Sequence, residues 1–180
     1  MRTTVWTIGH SNSSTERVLG LLADQGVEAV ADIRTTPRSR WVPQFDASAL
    51  RLSAGAAGIS YVPMGETLGG RPGGAEFYDE EDHVLYGRLT VAPRFLDGVG
   101  RLLTLATRSR VAMMYSEEDP VGCHCQLLIG RVLSDRGVEM LHLRHDGTAE
   151  TYGTVCAREP ARQGGLFDAD TWRSAKPVRR

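Results

Sequence analysis

The chain has 180 residues, of which 41% are hydrophobic and 24% charged, as is typical of a globular protein with one core. Its net charge of −1 excludes a uniformly basic chain, so any nucleic-acid contact must use a local patch. Three cysteines cannot all pair, the amino terminus lacks the apolar core of a signal peptide, and no apolar run reaches the about 20 residues that span a bilayer. These features predict a cytoplasmic protein without a membrane segment.

Apolar runs and amphipathic runs alternate over the first 143 residues. The predicted strands are residues 5–8, 27–33, 59–63, 111–115 and 138–143. A helix is predicted after each of the first four strands, starting at the caps Ser13 and Asp46, at Pro93, and at about Cys123. Residues 65–90 have little periodicity and are rich in Gly and charge, as in a long lid-like excursion.

This alternation predicts a single Rossmann-like α/β domain over residues 1–156. We expect a mostly parallel, five-stranded sheet in the order 3-2-1-4-5, with helices on both faces. A crevice should then open between the first and fourth strands, where the strand order reverses. Residues 157–180 hold more basic than acidic groups and are predicted to form a mobile, mildly basic tail.

Three segments at the carboxyl ends of predicted strands carry candidate catalytic groups. Asp32, Glu117 and His10 should converge on the crevice, where crowded carboxylates suit proton transfer or the activation of water. Alternatively, Asp32 or Glu117 forms a structural pair with Arg34 or caps a helix. Two groups of neighbouring polar residues are predicted to contact substrate there: Ser11 and Asn12 after the first strand, and Ser116 after the fourth.

The segment after the fourth strand also contains two thiols around a histidine. Cys123 and Cys125 lie at a predicted helix start, which favours a thiolate, and His124 could lower the thiol pKa or transfer protons. The alternative is that the thiols pack beneath the helix. A zinc site completed by Cys156 and a histidine would not follow a recognised spacing, and no metal site is predicted.

A basic and aromatic loop follows the second strand. Arginine side chains match the geometry of phosphate and aromatic rings stack on bases, so this loop predicts a phosphate-bearing ligand. The alternative is a solvated loop held to the core by its aromatic rings. The loop residues assigned to substrate binding are Arg34, Arg38, Arg40, Trp41, Gln44 and Phe45. From the excursion, Gly69, Gly70, Arg71 and Tyr78 are added to this set.

The predicted tail contains a short peptide, Gln163-Gly-Gly-Leu166-Phe167. It resembles the Gln-x-x-Leu-Phe peptide with which bacterial replication and repair proteins dock on the sliding clamp. In such a complex Leu166 and Phe167 would fill an apolar pocket and Gln163 would bond its rim. Alternatively, Leu166 and Phe167 fold back onto the domain.

Several short motifs together resemble a bacterial and archaeal family known as domain of unknown function family 488. That resemblance implies a compact Rossmann-like fold and adds Glu66 to the substrate-binding set. The chain departs from the family at Tyr115, where members usually carry Cys, and at Cys125, where they carry Arg. The matching motifs are Thr7-Ile-Gly-His-Ser11, Asp32-Ile-Arg34, Pro37-Arg-Ser-Arg40, Pro43-Gln-Phe45, Gly65-Glu66, Leu68-Gly-Gly70, Glu117-Glu-Asp-Pro120 and Cys123-His124.

These residues favour an enzyme that acts on a nucleotide or on DNA, in repair or base modification. A second hypothesis is a sulfurtransferase-like enzyme with Cys123 or Cys125 as the nucleophile. A third is a clamp-associated adaptor without catalysis. No cofactor is predicted, because the Gly-rich run at residues 69–74 lacks the Lys-Ser/Thr of a P-loop.

Overall fold

The computed structural model describes residues 3–159 and 172–178. Within those ranges, no helix has both the length and the apolar character needed to cross a membrane. The candidate peptide at Gln163, Leu166 and Phe167 lies outside the described residues.

One six-stranded sheet forms the centre of the domain, in the order β3-β2-β4-β1-β5-β6. Its first five strands are parallel, and β6 pairs antiparallel with β5. The strands are β1 Thr4–Gly9, β2 Ala29–Asp32, β3 Ser60–Pro63, β4 Val111–Tyr115, β5 Glu139–Leu143 and β6 Ala149–Thr151.

The mostly parallel α/β sheet agrees with the sequence prediction, but the predicted five-strand order 3-2-1-4-5 is wrong. Strand β4 lies between β2 and β1, so the crossover from β1 to β2 passes over β4. Both β1 and β4 are buried apolar strands, and their sequences do not distinguish which lies nearer the centre. Strand β6 was missed because it is a short, mostly exposed edge strand without an apolar pattern.

Helices cover both faces of the sheet. One face packs against α1 (Thr15–Asp24) and α2 (Ala47–Ala56), whose apolar residues join those of β2 and β4 in one cluster. The other face packs against α5 (Pro93–Ala106), which follows the short α3 (Gly65–Leu68) and α4 (Tyr86–Leu89). A π-helical segment, Cys125–Gly130, covers the same face and continues as α6 (Arg131–Ser134).

The start of α1 differs from the one predicted from the sequence. Helix α1 is capped by Ser14, whose side chain accepts a hydrogen bond from Arg17 N, rather than by Ser13. The backbone N–H of Ser13 instead closes a turn onto His10 O. Helix α7 (Tyr152–Arg158) crosses the predicted domain boundary at residue 156. Beyond it, residues 172–178, which were assigned to the tail, pack on the domain.

Candidate functional site

The carboxyl ends of β1, β2 and β4 meet at one edge of the sheet. Gly9 pairs with Tyr115, and Asp32 pairs with Met114 on the other side of β4. Backbone hydrogen bonds from His10 N to Tyr115 O and from Ser11 N to Ser116 O continue the contact beyond the strands. The structure thus brings together the segments that start at His10, Asp32 and Glu117.

The loop after β4 runs directly against the end of β1. A Cβ atom added to Gly9 would lie 1.5 Å from the carbonyl oxygen of Glu117, so this approach requires glycine. An ion pair between Arg144 and Glu118 holds the same loop to the chain after β5, and a hydrogen bond between His145 Nε2 and Gly9 O ties that chain to the end of β1. These contacts fix the backbone position of Glu117.

Asp32 and Arg34 form a buried ion pair. Arg34 Nε donates to Asp32 Oδ1 at 2.9 Å and Arg34 Nη2 donates to Asp32 Oδ2 at 2.6 Å, and the two side chains are only 7% and 1% exposed. Tyr61 donates its hydroxyl to Asp32 Oδ2, and Arg34 Nη2 also donates to Phe45 O. Both carboxylate oxygens of Asp32 therefore accept hydrogen bonds within the protein.

His10 lies behind this ion pair as a neutral ring. Arg34 Nη1 can only donate, so His10 Nε2, at 3.1 Å, accepts, and Nδ1–H donates to Ser11 O. The ring stacks on Phe45 at 4.4 Å between centroids. Burial lowers the pKa of His10, and the Arg34 charge lowers it further. Because both nitrogens have partners, this geometry favours a role for His10 in positioning Arg34.

A crevice of about 690 Å³ opens at this edge, in front of Arg34. Its walls come from the loop after β2, Gly70 and Arg71 after α3, the loop after β4 and residues 174–178. The polar and aromatic residues that line it are Arg34, Thr35, Thr36, Arg38, Ser39, Arg71, Tyr86, Ser116, Glu117, Cys123, His124, Ser174 and Lys176.

Three of the crevice cations have no acidic partner. Among the residues that the structure describes, no carboxylate forms an ion pair with Arg38, Arg71 or Lys176. The fourth cation, Arg34, is neutralised by Asp32. The walls therefore carry more positive than negative charge, which favours an anionic ligand.

Cys123 contacts the acidic group of the crevice. Its thiol donates to Glu117 Oε2 at 3.5 Å, and its sulfur lies 3.9 Å from His124 Nδ1. Burial raises the pKa of Cys123 well above its usual value, and the neighbouring Cys125 and Glu117 raise it further. Burial also raises the pKa of Cys125, which is fully enclosed in the core. These surroundings favour the neutral thiols.

The His124 ring closes the floor of the crevice beside Gly70. A Cβ on Gly70 would lie 2.7 Å from the ring, so this glycine makes room for the histidine. His124 Nε2 is buried and has no hydrogen-bond partner within the described structure. Burial lowers the pKa of His124, and the charge of Glu117 opposes that effect. His124 is thus held as a neutral group next to Glu117 and Cys123.

We expect the buried thiols of Cys123 and Cys125 to react slowly with alkylating reagents. Iodoacetamide at pH 8 should modify Cys123 and Cys125 at least about tenfold more slowly in the native protein than in the urea-unfolded chain, because only the thiolate reacts. Cys156 is partly exposed and should be modified before either of them. Peptide mass mapping over time measures each rate. Rapid native labelling of Cys123 would contradict the neutral thiol.

Other residues predicted to bind substrate lie outside the crevice. Arg40 stacks over Trp41, whose side chain is 80% exposed. Gln44 donates to Ser13 O, and Glu66 pairs with Arg94 on α5. Gly69 packs against Thr35, and Phe45 is fully buried against the His10 ring rather than available to a ligand.

Neither Ser11 nor Asn12 lines the crevice, so the residues predicted to bind substrate after β1 do not contribute to its walls. Asn12 is exposed, and Ser11 has a positive φ of 48° in the turn before α1.

Tyr78 donates to Pro72 O and lines a second recess of about 420 Å³, which shares Thr35 and Arg71 with the crevice. This recess extends the crevice towards the excursion.

Lys176 and Tyr86 line the crevice, although neither was assigned to the site from the sequence. Tyr86 is almost fully buried, and Lys176 comes from a segment about 50 residues after Cys123. No local pattern marks either of them. The only sequence signal at Lys176 is that it is the sole lysine of the chain.

No group of three or more His, Cys, Asp and Glu side chains within residues 3–159 and 172–178 could hold a metal ion. Cys156 lies away from the crevice, where its sulfur accepts a hydrogen bond from Gln126 Nε2. The same glutamine accepts from His142 Nε2 through Oε1, and His142 Nδ1 accepts from Thr7 Oγ1. This buried polar chain fixes His142 as a neutral ring.

The stability of the protein should depend on this histidine at mildly acidic pH. Burial lowers the pKa of His142 to about 4 in the folded state, against 6.5 in the unfolded chain. The unfolded chain therefore binds the proton first, so stability is complete above pH 6.5 and falls as the pH decreases towards 4, by up to about 3 kcal/mol. Burial lowers the pKa of His10 and of His124 too, so these two rings also decrease the stability of the folded state as the pH falls.

Urea unfolding at pH 7.5 and at pH 5 measures this loss. The variant His142→Gln should lose less stability between the two pH values than the wild type, because it lacks the titrating ring. Equal losses in both proteins would assign the pH dependence to other groups.

The comparisons with known proteins identify a family over most of the described chain. The family model described as "Domain of unknown function DUF488" matches residues 14–132. This range contains α1, β2, β4 and the Glu117–Cys123 loop. Neither the curated proteins nor the solved structures contain a match to the chain.

Proposed function

Because the chain belongs to the DUF488 family, whose description assigns no function, we propose from the geometry of the crevice that the protein is an enzyme acting on a nucleotide or on DNA. The observation that carries this proposal is the set of cations Arg38, Arg71 and Lys176, which have no carboxylate partner among the described residues, around a recess that also contains the carboxylate of Glu117. Phosphate matches the cations, and a carboxylate beside bound phosphate is suited to activating water.

In this proposal Arg38 and Arg71 bind the phosphate. Both are exposed and have planar guanidinium groups that contact two phosphate oxygens at once. Glu117 accepts a proton or orients water, with Cys123 and His124 beside it. Asp32 and His10 act through Arg34, since their polar atoms already have partners inside the protein. Their role is thus positioning rather than direct proton transfer.

The test is equilibrium binding of adenosine 5′-monophosphate and of a labelled single-stranded DNA. We expect binding that weakens steeply as salt increases, because phosphate contacts release counterions from DNA. Binding of the mononucleotide alone would restrict the substrate to free nucleotides. Absence of binding of both ligands at low salt would refute the proposal.

Single substitutions should locate the phosphate site. Arg38→Gln and Arg71→Gln should each weaken nucleotide affinity about tenfold, as expected for the loss of a charge-assisted hydrogen bond. The control is Arg101→Gln, which removes an exposed arginine of α5 outside the crevice. If all three variants bind equally well, the phosphate does not contact this loop.

The sulfurtransferase alternative gains no support from the crevice. A sulfur-carrying cysteine needs an accessible thiolate, whereas Cys123 and Cys125 are buried and their pKa values are raised. Alkylation of the thiols should therefore leave nucleotide binding largely intact. Complete loss of turnover with nucleotide binding retained, in a Cys123→Ser variant, would favour the thiol hypothesis again.

The clamp adaptor stays a prediction from sequence, because Gln163, Leu166 and Phe167 lie outside the described residues. Replacing Leu166 and Phe167 with Ala should abolish association with a bacterial sliding clamp, and unchanged association would discard the peptide.

We further propose a Rossmann-like classification and a cytoplasmic location. The helix-covered parallel sheet supports the first, and the three unpaired thiols support the second.

A further inference from the structure

Residues 172–178, here called the C-terminal wall segment, form one side of the crevice. Residues 174–178 all line it, as do Arg38 and Arg71. The family match ends at residue 132, so this wall lies outside the matched region. The chain thus supplies part of its candidate site from residues far along the sequence.

The wall segment is anchored at its start by Trp172. The indole N–H donates to Leu127 O at 3.1 Å, and the ring packs edge-on against Tyr86 with 5.9 Å between centroids. Arg131 lies over the other part of the ring, with its guanidinium carbon 4.3 Å from the centroid. These contacts attach the segment to the π-helical region and to α4.

Backbone and side-chain hydrogen bonds then place Lys176. Arg173 forms an antiparallel bridge with Leu85, and Ser174 N donates to Val84 O. The buried hydroxyl of Ser174 accepts from Val84 N and donates to Lys176 O at 2.7 Å. Lys176 is therefore presented at the crevice by a fixed backbone, while its side chain remains exposed.

Lys176 is the third crevice cation without an acidic partner in the part of the chain that the structure describes. Its flexible stem carries a compact ammonium group that suits a point contact with phosphate, in addition to the planar contacts of two arginines. No acidic group of the described chain competes for it. The wall segment also approaches the loop after β4. A Cβ atom added to Gly122 of that loop would lie 3.5 Å from the Cβ atom of Ala175.

We propose that the C-terminal wall segment is part of the anion-binding site and that the Lys176 ammonium binds the phosphate of the ligand together with Arg38 and Arg71. This inference rests on the proposed function, because it assigns a further binding residue to the same crevice. It also predicts that the site is incomplete in a chain that lacks residues 172–178.

The first test compares Lys176→Gln with Lys176→Arg in the full-length chain. We expect Lys176→Gln to weaken binding of adenosine 5′-monophosphate at least about fivefold, and Lys176→Arg to retain most of the affinity. Arg101→Gln again serves as the control. If Lys176→Gln binds normally while Arg38→Gln and Arg71→Gln do not, this inference is overturned and the proposed function stands. If none of these variants changes the affinity, both fail.

The second test uses the fact that the chain has one lysine. Pyridoxal 5′-phosphate condenses with an amine, losing water, and borohydride then reduces the imine by adding hydride to carbon. We expect this phosphate-bearing aldehyde to label Lys176 about tenfold faster than pyridoxal does, and inorganic phosphate to slow the labelling. The α-amino group is the internal reference in the mass map. Equal labelling by the two aldehydes, unaffected by phosphate, would overturn the role of Lys176.

Discussion

Replacing Asp32 with Ala should lower the free energy of unfolding by about 3–5 kcal/mol, because it leaves the charge of Arg34 buried without a counterion. Arg34 is 8% exposed and its guanidinium cannot lose its proton at any ordinary pH. The substitution also removes the acceptor of the Tyr61 hydroxyl. Urea unfolding at neutral pH measures the change.

Two further variants separate the buried charge from a general loss of packing. The double variant Asp32→Ala, Arg34→Leu should recover part of the lost stability, because it removes the unpaired charge as well. Glu66→Ala, which breaks the exposed pair with Arg94, should change stability little. If Asp32→Ala is as mild as Glu66→Ala, the ion pair does not support the fold.

The second large effect is expected at the contact between β1 and the loop after β4. Gly9→Ala should destabilise the protein by about 2 kcal/mol or more. The added Cβ would lie 1.5 Å from the Glu117 carbonyl oxygen, so the backbone of β1 or of the loop after β4 must move. The displaced loop carries Ser116 and Glu117, so nucleotide binding should weaken in the same variant.

Gly20 is the matched control for this substitution. It lies within α1, and no atom outside its own helix is within 4 Å of an added Cβ. Gly20→Ala should therefore stabilise the protein by about 0.5–1 kcal/mol through helix propensity. Urea unfolding of both variants gives the comparison. A Gly9→Ala protein as stable as the wild type would show that this contact is not tight.

The contacts of Arg34 show which properties of the candidate site the local sequence could not predict. Arg34 was assigned to phosphate from its place in a basic loop, yet it is held by Asp32, His10 and Phe45. The sequence Asp32-Ile-Arg34 also allowed a structural ion pair between these two side chains. It did not show that the ion pair would be buried. Arg38 and Arg71, which were also predicted to bind phosphate, line the crevice, and no carboxylate within residues 3–159 and 172–178 pairs with either of them.

The sequence by itself determined the alternation of strands and helices, because the apolar period of each segment is a local property of consecutive residues. It also identified the strand ends at His10, Asp32 and Glu117 as one sheet edge, since parallel strands place their carboxyl ends together.

Only the tertiary structure decided the position of β4 between β2 and β1, the burial of the Cys123 thiol, and the arrival of Lys176 at the crevice. Each depends on packing between segments distant in the chain. Burial and charge pairing are set by those distant contacts, and residue spacing does not encode them.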